Sequence, residues 1–551
     1  MQLRQRYPAI NLGSEPRPIA LEQLISKGLA TAKAQQTSVL ISFWQPWDCH
    51  DGLLFLAGHK KERDYSFYWQ HPSNGFTLAG SGSVWVCQHL AGAADHPEHL
   101  DSGVAVHGAS STMHPTVHSS PHLRSNSNHS QVNHSINDST NSNISDDNIS
   151  DRFRLAQDFM AEVAAHALTA GDPHSTGLNL GTYVLGGFSF YPDPDHGQIP
   201  HLTWFVPRWL LRQTATDCMM CLNYRVEPHH TSEGIWEGIL QCWHDLTQPV
   251  VQPVSSSAGR LRVQEIAAAQ SWGGTVAQAL QQIEQGKLEK VVLARALAVA
   301  AESQFMPFEI LHRLRCDYPN CMTFAMDWGT DEVFLGATPE RLLQFQQVGA
   351  DVHLQSDAVA GSIKRGVSLV SDDVLGQQLK DSEKDLREHQ IVIRSIAECL
   401  RAAGAEVNYP NLPALLKLSN VQHLYTPLQG IWRNQPWLGV FDLVAQLHPT
   451  AAVGGEPRQA ALNFMQSVEA CDRGWYAAPL GWVHLGADRQ GEGVLAVAIR
   501  SGYITGKTAR LFAGAGIVGE SQINNEQLET SIKFAALLHA LGLDDLDFGG
   551  A

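Results

Sequence analysis

The sequence predicts an α+β protein, and three observations carry that expectation. Runs rich in aromatic and β-branched residues are interspersed with amphipathic runs without a regular βα period. Hydrophobic residues make up 44% of 551, enough for a sizeable core. The one dinucleotide-like spelling, Gly514-x-Gly516-x-x-Gly519, sits too late in the chain: residues 520–551 read as one helix and a tail, where a βαβ unit would need a second strand with an acidic residue. Three such glycines still leave backbone N–H groups exposed, so the stretch is expected to be a tight turn that holds an anion.

Between residues 37 and 90, Val39-Leu-Ile-Ser-Phe-Trp44, Gly52-Leu-Leu-Phe-Leu56 and Tyr65-Ser-Phe-Tyr-Trp69 are punctuated by Pro46, Gly58, Pro72 and Gly75, which is strand and hairpin chemistry. From 93 to 150, Ser, Asn, His and Asp dominate. Such a segment buries too little area to offset its ordering entropy and is expected to be a disordered insertion. Its irregularly spaced histidines read as part of a solvated tail rather than a metal site. Arg154–Leu168 has helical periodicity, and Tyr183–Tyr191, Leu202–Trp209 and Cys218–Val226 read as strands. Residues 1–92 and 151–262 are therefore expected to be one β-rich part split by the insertion. After a Ser/Pro/Val stretch, residues 263–545 form a second part. Thr275–Gln285 is amphipathic, Lys290–Arg295 is a buried-looking strand, and Pro307–Arg315 is a helix. Met322–Met326, Val333–Leu335 and Arg341–Phe345 read as strands, with a turn at Ala337-Thr-Pro-Glu340. Ser382-Glu-Lys-Asp385 is a capping box opening a helix through Arg401.

The net charge of −17, with no Lys/Arg-rich run, argues against nucleic acid as a partner. No stretch is long and apolar enough for a membrane span, and the first residues lack the apolar core of a secretory signal. The nine cysteines are irregularly spaced, which suits free thiols in a reducing, cytoplasmic setting. Cys218-x-x-Cys221 lacks a second pair and reads as ordinary buried thiols.

Six acidic or basic positions stand out. Glu526, Glu529 and Lys533 lie on one helical face. Adjacent carboxylates suit a divalent ion with oxygen ligands, and equally a solvated face with a Glu529–Lys533 pair. Glu388 is four residues after Lys384 on the capped helix, whose apolar stripe reads as Leu386, Ile393, Ile396 and Leu400. It is a surface charge or a second acidic ligand. Lys290 opens an apolar strand; burial lowers a lysine's pKa and makes it a usable base, unless the side chain snorkels to water. Glu340 stands at a strand-to-strand corner, where a carboxyl is held protonated or simply marks a turn.

Taken together and in order, a set of motifs resembles the chorismate-binding family. They are Lys290-Val-Val-Leu-Ala-Arg295, Gly336-Ala-Thr-Pro-Glu-Arg341, Ala360-Gly-Ser-Ile-Lys-Arg-Gly366, Ser382-Glu-Lys-Asp-Leu-Arg-Glu-His389, Val421-Gln-His-Leu424, Leu447-His-Pro-Thr-Ala-Ala-Val-Gly-Gly455, Arg473-Gly-Trp-Tyr476, Val497-Ala-Ile-Arg-Ser501, Phe512-Ala-Gly-Ala-Gly-Ile-Val518 and Glu526-x-x-Glu-Thr530. The family includes isochorismate, salicylate, anthranilate and aminodeoxychorismate synthases, and the match spans roughly residues 265–540. Phe67-Tyr-Trp69, Gly186-Gly-Phe-Ser-Phe190 and Val206-Pro-Arg-Trp209 resemble the isochorismate synthase branch. The fold implied is that of anthranilate synthase component I, an α/β sandwich of antiparallel sheets flanked by helices.

By this resemblance Lys290 is the base that activates water, and Glu340 the acid that protonates the departing C4 hydroxyl of chorismate. Glu388, Glu526 and Glu529 are implied to hold Mg²⁺, with Asp385 a further candidate beside them. Gly361, Ser362, His423, Tyr476, Arg500, Gly514, Gly516 and Lys533 match substrate-pocket positions. Anthranilate synthases lack the lysine at 290, so water rather than ammonia is the expected nucleophile and no glutamine amidotransferase subunit is expected. Ala360 replaces the lysine of aminodeoxychorismate synthases. Ala452 stands where salicylate-forming members tend to carry threonine, which favours stopping at isochorismate over pyruvate elimination. Lys364 and Gln527 depart from the family's usual proline and tryptophan.

Overall fold

The structure, a computed structural model, describes residues 17–47, 51–59, 63–89, 146–171, 180–192, 199–247, 259–266, 271–470, 472–488 and 490–543. Most of the expected disordered insertion lies outside the described residues. Its expected end at 150 falls inside a helix, Asp146–His166, which begins earlier than the periodicity from Arg154 suggests. Gly52–Leu56, read above as strand-like, is also helical (Gly52–His59): an apolar run of that length does not declare its period.

The strands form two antiparallel sheets joined through the long strand Leu202–Gln213. One edge of that strand pairs with Phe76–His89. The other pairs first with Gly181–Phe188 and then with Cys218–Val226. From the first edge the sheet continues through Tyr65–His71, Met322–Trp328, Glu332–Thr338, Ser501–Thr505 and Thr508–Ile517 to Lys290–Ala301. From Gly181–Phe188 the other sheet runs through Pro479–Gly486, Gly491–Val497, Arg341–Val348 and Asp351–Lys364 to Val421–Trp432. All of these pairs are antiparallel; Val39–Pro46 with Ala167–Gly171 is a parallel exception. Strands from before and after residue 263 thus bond directly to each other, so the division expected there is not a break in the sheet.

Period-two alternation sorts the strand residues into two cores. Phe67, Phe334 and Phe512 face a core between the sheets, where Phe334 and Trp328 meet Trp475 edge to face. Their neighbours Tyr68, Leu335 and Leu511 face a second core under the helices Ile19–Gln35, Ser232–Thr247, Pro307–Asp317 and Ile523–Leu541. Among the described residues no helix is long and apolar enough to cross a membrane. This is the helix-flanked antiparallel sandwich that the motifs imply.

Candidate active site

The strand Lys290–Ala301 opens with its lysine fully enclosed. The Lys290 side chain is 0% exposed, so it does not snorkel. Its ammonium stands 3.1 Å from Glu388 Oε1, an ion pair whose angles fall short of a directed hydrogen bond. Glu388 reaches it from the helix Glu383–Ala402, started by Ser382, whose hydroxyl accepts from Asp385 N at 3.3 Å. The buried face of that helix runs through Glu388, Ile391, Val392, Ile396 and Leu400. The stripe drawn through Leu386 and Ile393 is therefore rotated from the true one, because a charged residue occupies the inner face. Burial would raise the Glu388 carboxyl, but Lys290 and then Lys384 beside it hold it below its ordinary value.

Across the cavity, Glu340 is 2% exposed and its Oε1 has no hydrogen-bond partner. Burial pushes its carboxyl up to about 8, against the opposing charge of Lys290. Thr338 fixes this corner: its hydroxyl donates to Val497 O at 2.6 Å and accepts from Glu340 N at 3.2 Å. The side chain at 340 is therefore not a solvated turn residue.

The pocket, its mouth open to solvent, holds about 600 Å³ of empty space and is lined by Glu340, Gly361, Ser362, Glu388, His423, Tyr476, Arg500, Gly514, Gly516, Glu529 and Lys533, with Ala452 on its wall. Of the positions named from the sequence, Lys290 lies beneath Glu388, and Glu526 stands just outside the lining, one helical turn before Glu529. Gly361 forms a bulge at φ +75°, where the strand Asp351–Lys364 shifts register and Asp385 packs close. His423 has its tautomer fixed by its partners. Arg500 donates to Nε2 at 3.0 Å, so Nδ1 carries the proton and donates to Ser362 Oγ at 2.9 Å. Burial and the nearby Arg500 hold this imidazole neutral, well below its ordinary value. Tyr476 stacks on Phe512 with ring centroids 5.0 Å apart, and burial pushes its hydroxyl up to about 12.

The glycine stretch is strand at 514 and 516 rather than the turn expected. Gly514 and Gly516 lie inside the strand Thr508–Ile517, paired with Ala294 and Val292 of the Lys290 strand. What requires glycine at 516 is close approach: an added Cβ would overlap Glu388 Oε1 and press to 3.0 Å from Lys290 Cε. Gly514 presents its carbonyl, which accepts from Lys533 Nζ at 2.8 Å. Lys533 also pairs with Glu529 at 2.6 Å, so the bland reading of that pair holds, but at the cavity wall rather than on a solvated face.

Glu526, on the first turn of the helix Ile523–Leu541, is 1% exposed, and neither carboxyl oxygen has a hydrogen-bond partner. Burial and then Glu529 beside it push its carboxyl up. Lys384 Nζ approaches Glu526 Oε1 to 2.9 Å. The spacing on its own helix suggests Glu388 as the partner of Lys384, but the lysine turns instead to the last helix. Thr338 is the contributor missed from sequence, its only signal being a hydroxyl two residues before Glu340, while Lys384 is visible there by its spacing to Glu388 but without its true partner Glu526.

A pocket that holds a carboxyl kept neutral by burial, with a buried ammonium and acidic side chains beside it, defines an acid–base site for a small anionic molecule. The chain belongs to the chorismate-binding enzyme family, whose model matches residues 124–542. It is 37% identical over 371 residues to the isochorismate synthase MenF of Bacillus subtilis (strain 168), covering 66% of this chain and 75% of that protein. It is 36% identical over 381 residues to a salicylate biosynthesis isochorismate synthase of Pseudomonas aeruginosa, covering 67% and 76%. Among solved structures, the menaquinone-specific isochorismate synthase MenF from Escherichia coli aligns with a TM-score of 0.65 and 23% identity over 95% of this chain and 100% of that one. Anthranilate synthase component I from Streptococcus pneumoniae aligns at 0.54 and 23% identity over 69% and 85%.

Proposed function

We propose that this protein is an isochorismate synthase, interconverting chorismate and isochorismate. The observation that carries the reading is Glu340, a buried carboxyl whose value of about 8 keeps it a proton donor at neutral pH, facing the same cavity as the Lys290–Glu388 pair. In its neutral amine form, the ammonium proton having passed to the neighbouring Glu388 carboxylate, Lys290 takes a proton at Nζ from a water molecule whose oxygen bonds to C2 of the ring. The diene electrons shift, the C4–O bond breaks, and Glu340 gives its proton to the departing oxygen, so one water enters and one leaves. Arg500, oriented by the fixed tautomer of His423, and Lys533 at the Gly514 carbonyl are placed to bind the substrate's carboxylates. Ala452 leaves the wall opposite small, consistent with a reaction that stops before pyruvate leaves.

We further propose that Glu388, Glu526 and Glu529 hold Mg²⁺. Glu526 is buried, neither of its oxygens has a directed hydrogen bond, and its carboxyl is raised although the Lys384 ammonium stands against Oε1, which supports a cluster with room for a further cation; hard oxygen donors suit this ion. When bound, the ion supplies positive charge to a substrate carboxylate. The product would feed a quinone or salicylate-type route. A cytoplasmic setting is supported by the free thiols of Cys87, Cys221, Cys242, Cys316, Cys321 and Cys399. Incubation with chorismate, with and without Mg²⁺, followed by chromatographic separation of isochorismate, salicylate and pyruvate tests the reading. Isochorismate alone, formed only with the metal, is expected; salicylate with stoichiometric pyruvate, or no turnover, would overturn it.

A further inference from the structure

Three carboxylates of the site each face one ammonium: Glu388 faces Lys290 at 3.1 Å, Glu529 faces Lys533 at 2.6 Å, and Glu526 faces Lys384 at 2.9 Å. The three lysines are not equivalent. Lys290 is sealed, with 0% of its side chain exposed. Lys533 is tied to the Gly514 carbonyl and lines the cavity. Lys384 is the most exposed at 23%, does not line the cavity, and sits on the first turn of its helix, where its stem can swing to water. Its charge acts on Glu388 and Glu529 as well as on Glu526. Among the described residues no three acidic, imidazole or thiol groups stand close enough together to close around one ion.

We propose that Lys384 is a tethered counter-cation that occupies the acidic cluster in place of the metal and is displaced to solvent when a divalent ion binds. This rests on the reading that Glu388, Glu526 and Glu529 are the metal ligands. The physical reason is charge. An acidic cluster this buried is unstable without a cation, since an isolated carboxylate is costly in a dry site. Keeping all three ammoniums while adding two further positive charges would reverse the imbalance. One lysine must leave, and only Lys384 can do so without dismantling the base or the cavity wall. The lysine thereby sets how tightly the metal is held: its grip on Glu526 competes with the ion.

The test is calorimetric titration of the whole protein with MgCl₂ in the absence of substrate, alongside melting with EDTA or with saturating Mg²⁺. The wild type is expected to bind, and Glu526→Gln to lose the binding heat. Lys384→Met and Lys384→Gln are expected to bind about tenfold more tightly, the equivalent of one charge-assisted contact no longer displaced. They should melt lower than wild type in EDTA, with the gap closing at saturating Mg²⁺, while Lys384→Arg behaves as wild type. Unchanged or weaker binding by both neutral variants, with Glu526→Gln still abolishing binding, overturns the role of Lys384 and leaves the ligand assignment standing. Absence of binding by wild type and both neutral variants, or wild-type binding by Glu526→Gln, overturns the ligand assignment itself and the displacement with it.

Discussion

Replacing Glu340 by glutamine separates the stability cost of this carboxyl from its chemistry. The folded protein holds the group at about 8, against an ordinary value of 4.5. Between those values the native state keeps a proton that the unfolded chain has lost, so unfolding releases a proton and stability falls as pH rises. The stabilising contribution is fully present below pH 4.5 and gone above pH 8. From pH 5 to pH 8 the loss is roughly 3 to 4 kcal/mol, at about 1.4 kcal/mol per pH unit. The amide of the Glu340→Gln variant is neutral throughout and about the same size, so this slope vanishes while other titrating groups cancel in the comparison. Urea unfolding of both proteins at several pH values reads the difference directly. Glu340→Gln is expected to gain stability relative to wild type by that amount over the range, while turnover drops by about two to four powers of ten through loss of the acid. Wild-type turnover should itself decline above about pH 8 as the donor ionises. Parallel stability curves for the two proteins would mean that Glu340 is already ionised at pH 5, and it could then not be the proton donor.

Lys290→Ala should abolish turnover while retaining chorismate binding by calorimetry, and should cost about 3 kcal/mol in unfolding experiments because Glu388 loses its buried partner; full activity would refute the assignment. Gly516→Ala should inactivate, since the new methyl overlaps Glu388, whereas Gly519→Ala meets only Ile283 Cγ2 at 3.9 Å and should be tolerated. A dinucleotide-type site would be sensitive at both glycines, so equal sensitivity in the turnover assay counts against close approach as the cause. Deleting residues 100–145 should leave the melting temperature and turnover unchanged, and loss of folding would show that this segment contributes to the core.

Much of this architecture was legible because strand periodicity is short-range. The runs around Val39, Tyr65, Leu202 and Met322 alternate between two cores, and each is visible in its own residues. What local pattern cannot report is where a charged residue faces inward. Glu388 occupies the buried side of its helix, so the apolar stripe read through Leu386 and Ile393 comes out rotated. The pairing of Lys384 with Glu526 joins two helices far apart in the chain, while an i,i+4 rule offers only Glu388. Thr338 and Glu340 are close in sequence, yet the carboxyl's burial follows from the strand Gly491–Val497 lying against that corner, with Val497 O accepting the threonine's hydroxyl. The order of the motifs identifies the family, whereas residue spacing alone left each acidic position open between surface charge and ligand.

The glycines of residues 514–519 show why position decides what a glycine pattern means. At a turn they would free N–H groups for an anion. Inside this strand, Gly514 and Gly516 stand opposite Ala294 and Val292, whose own N–H groups bond away from the shared ladder, and at 516 the missing Cβ is the property that the close approach of Glu388 requires. With nothing at Gly516 but hydrogen, the Glu388 carboxylate can lie flat on the strand and reach Lys290 on the neighbouring one. That contact brings the proposed base and a proposed metal ligand together, and the carbonyl of Gly514 then anchors Lys533, which leads on to Glu529. One strand backbone thereby links the base, the acidic cluster and a cavity-wall cation without a side chain of its own. A substituent at 516 would therefore separate Lys290 from Glu388 and misplace both at once, where a substituent at a binding turn would weaken only the ligand's hold.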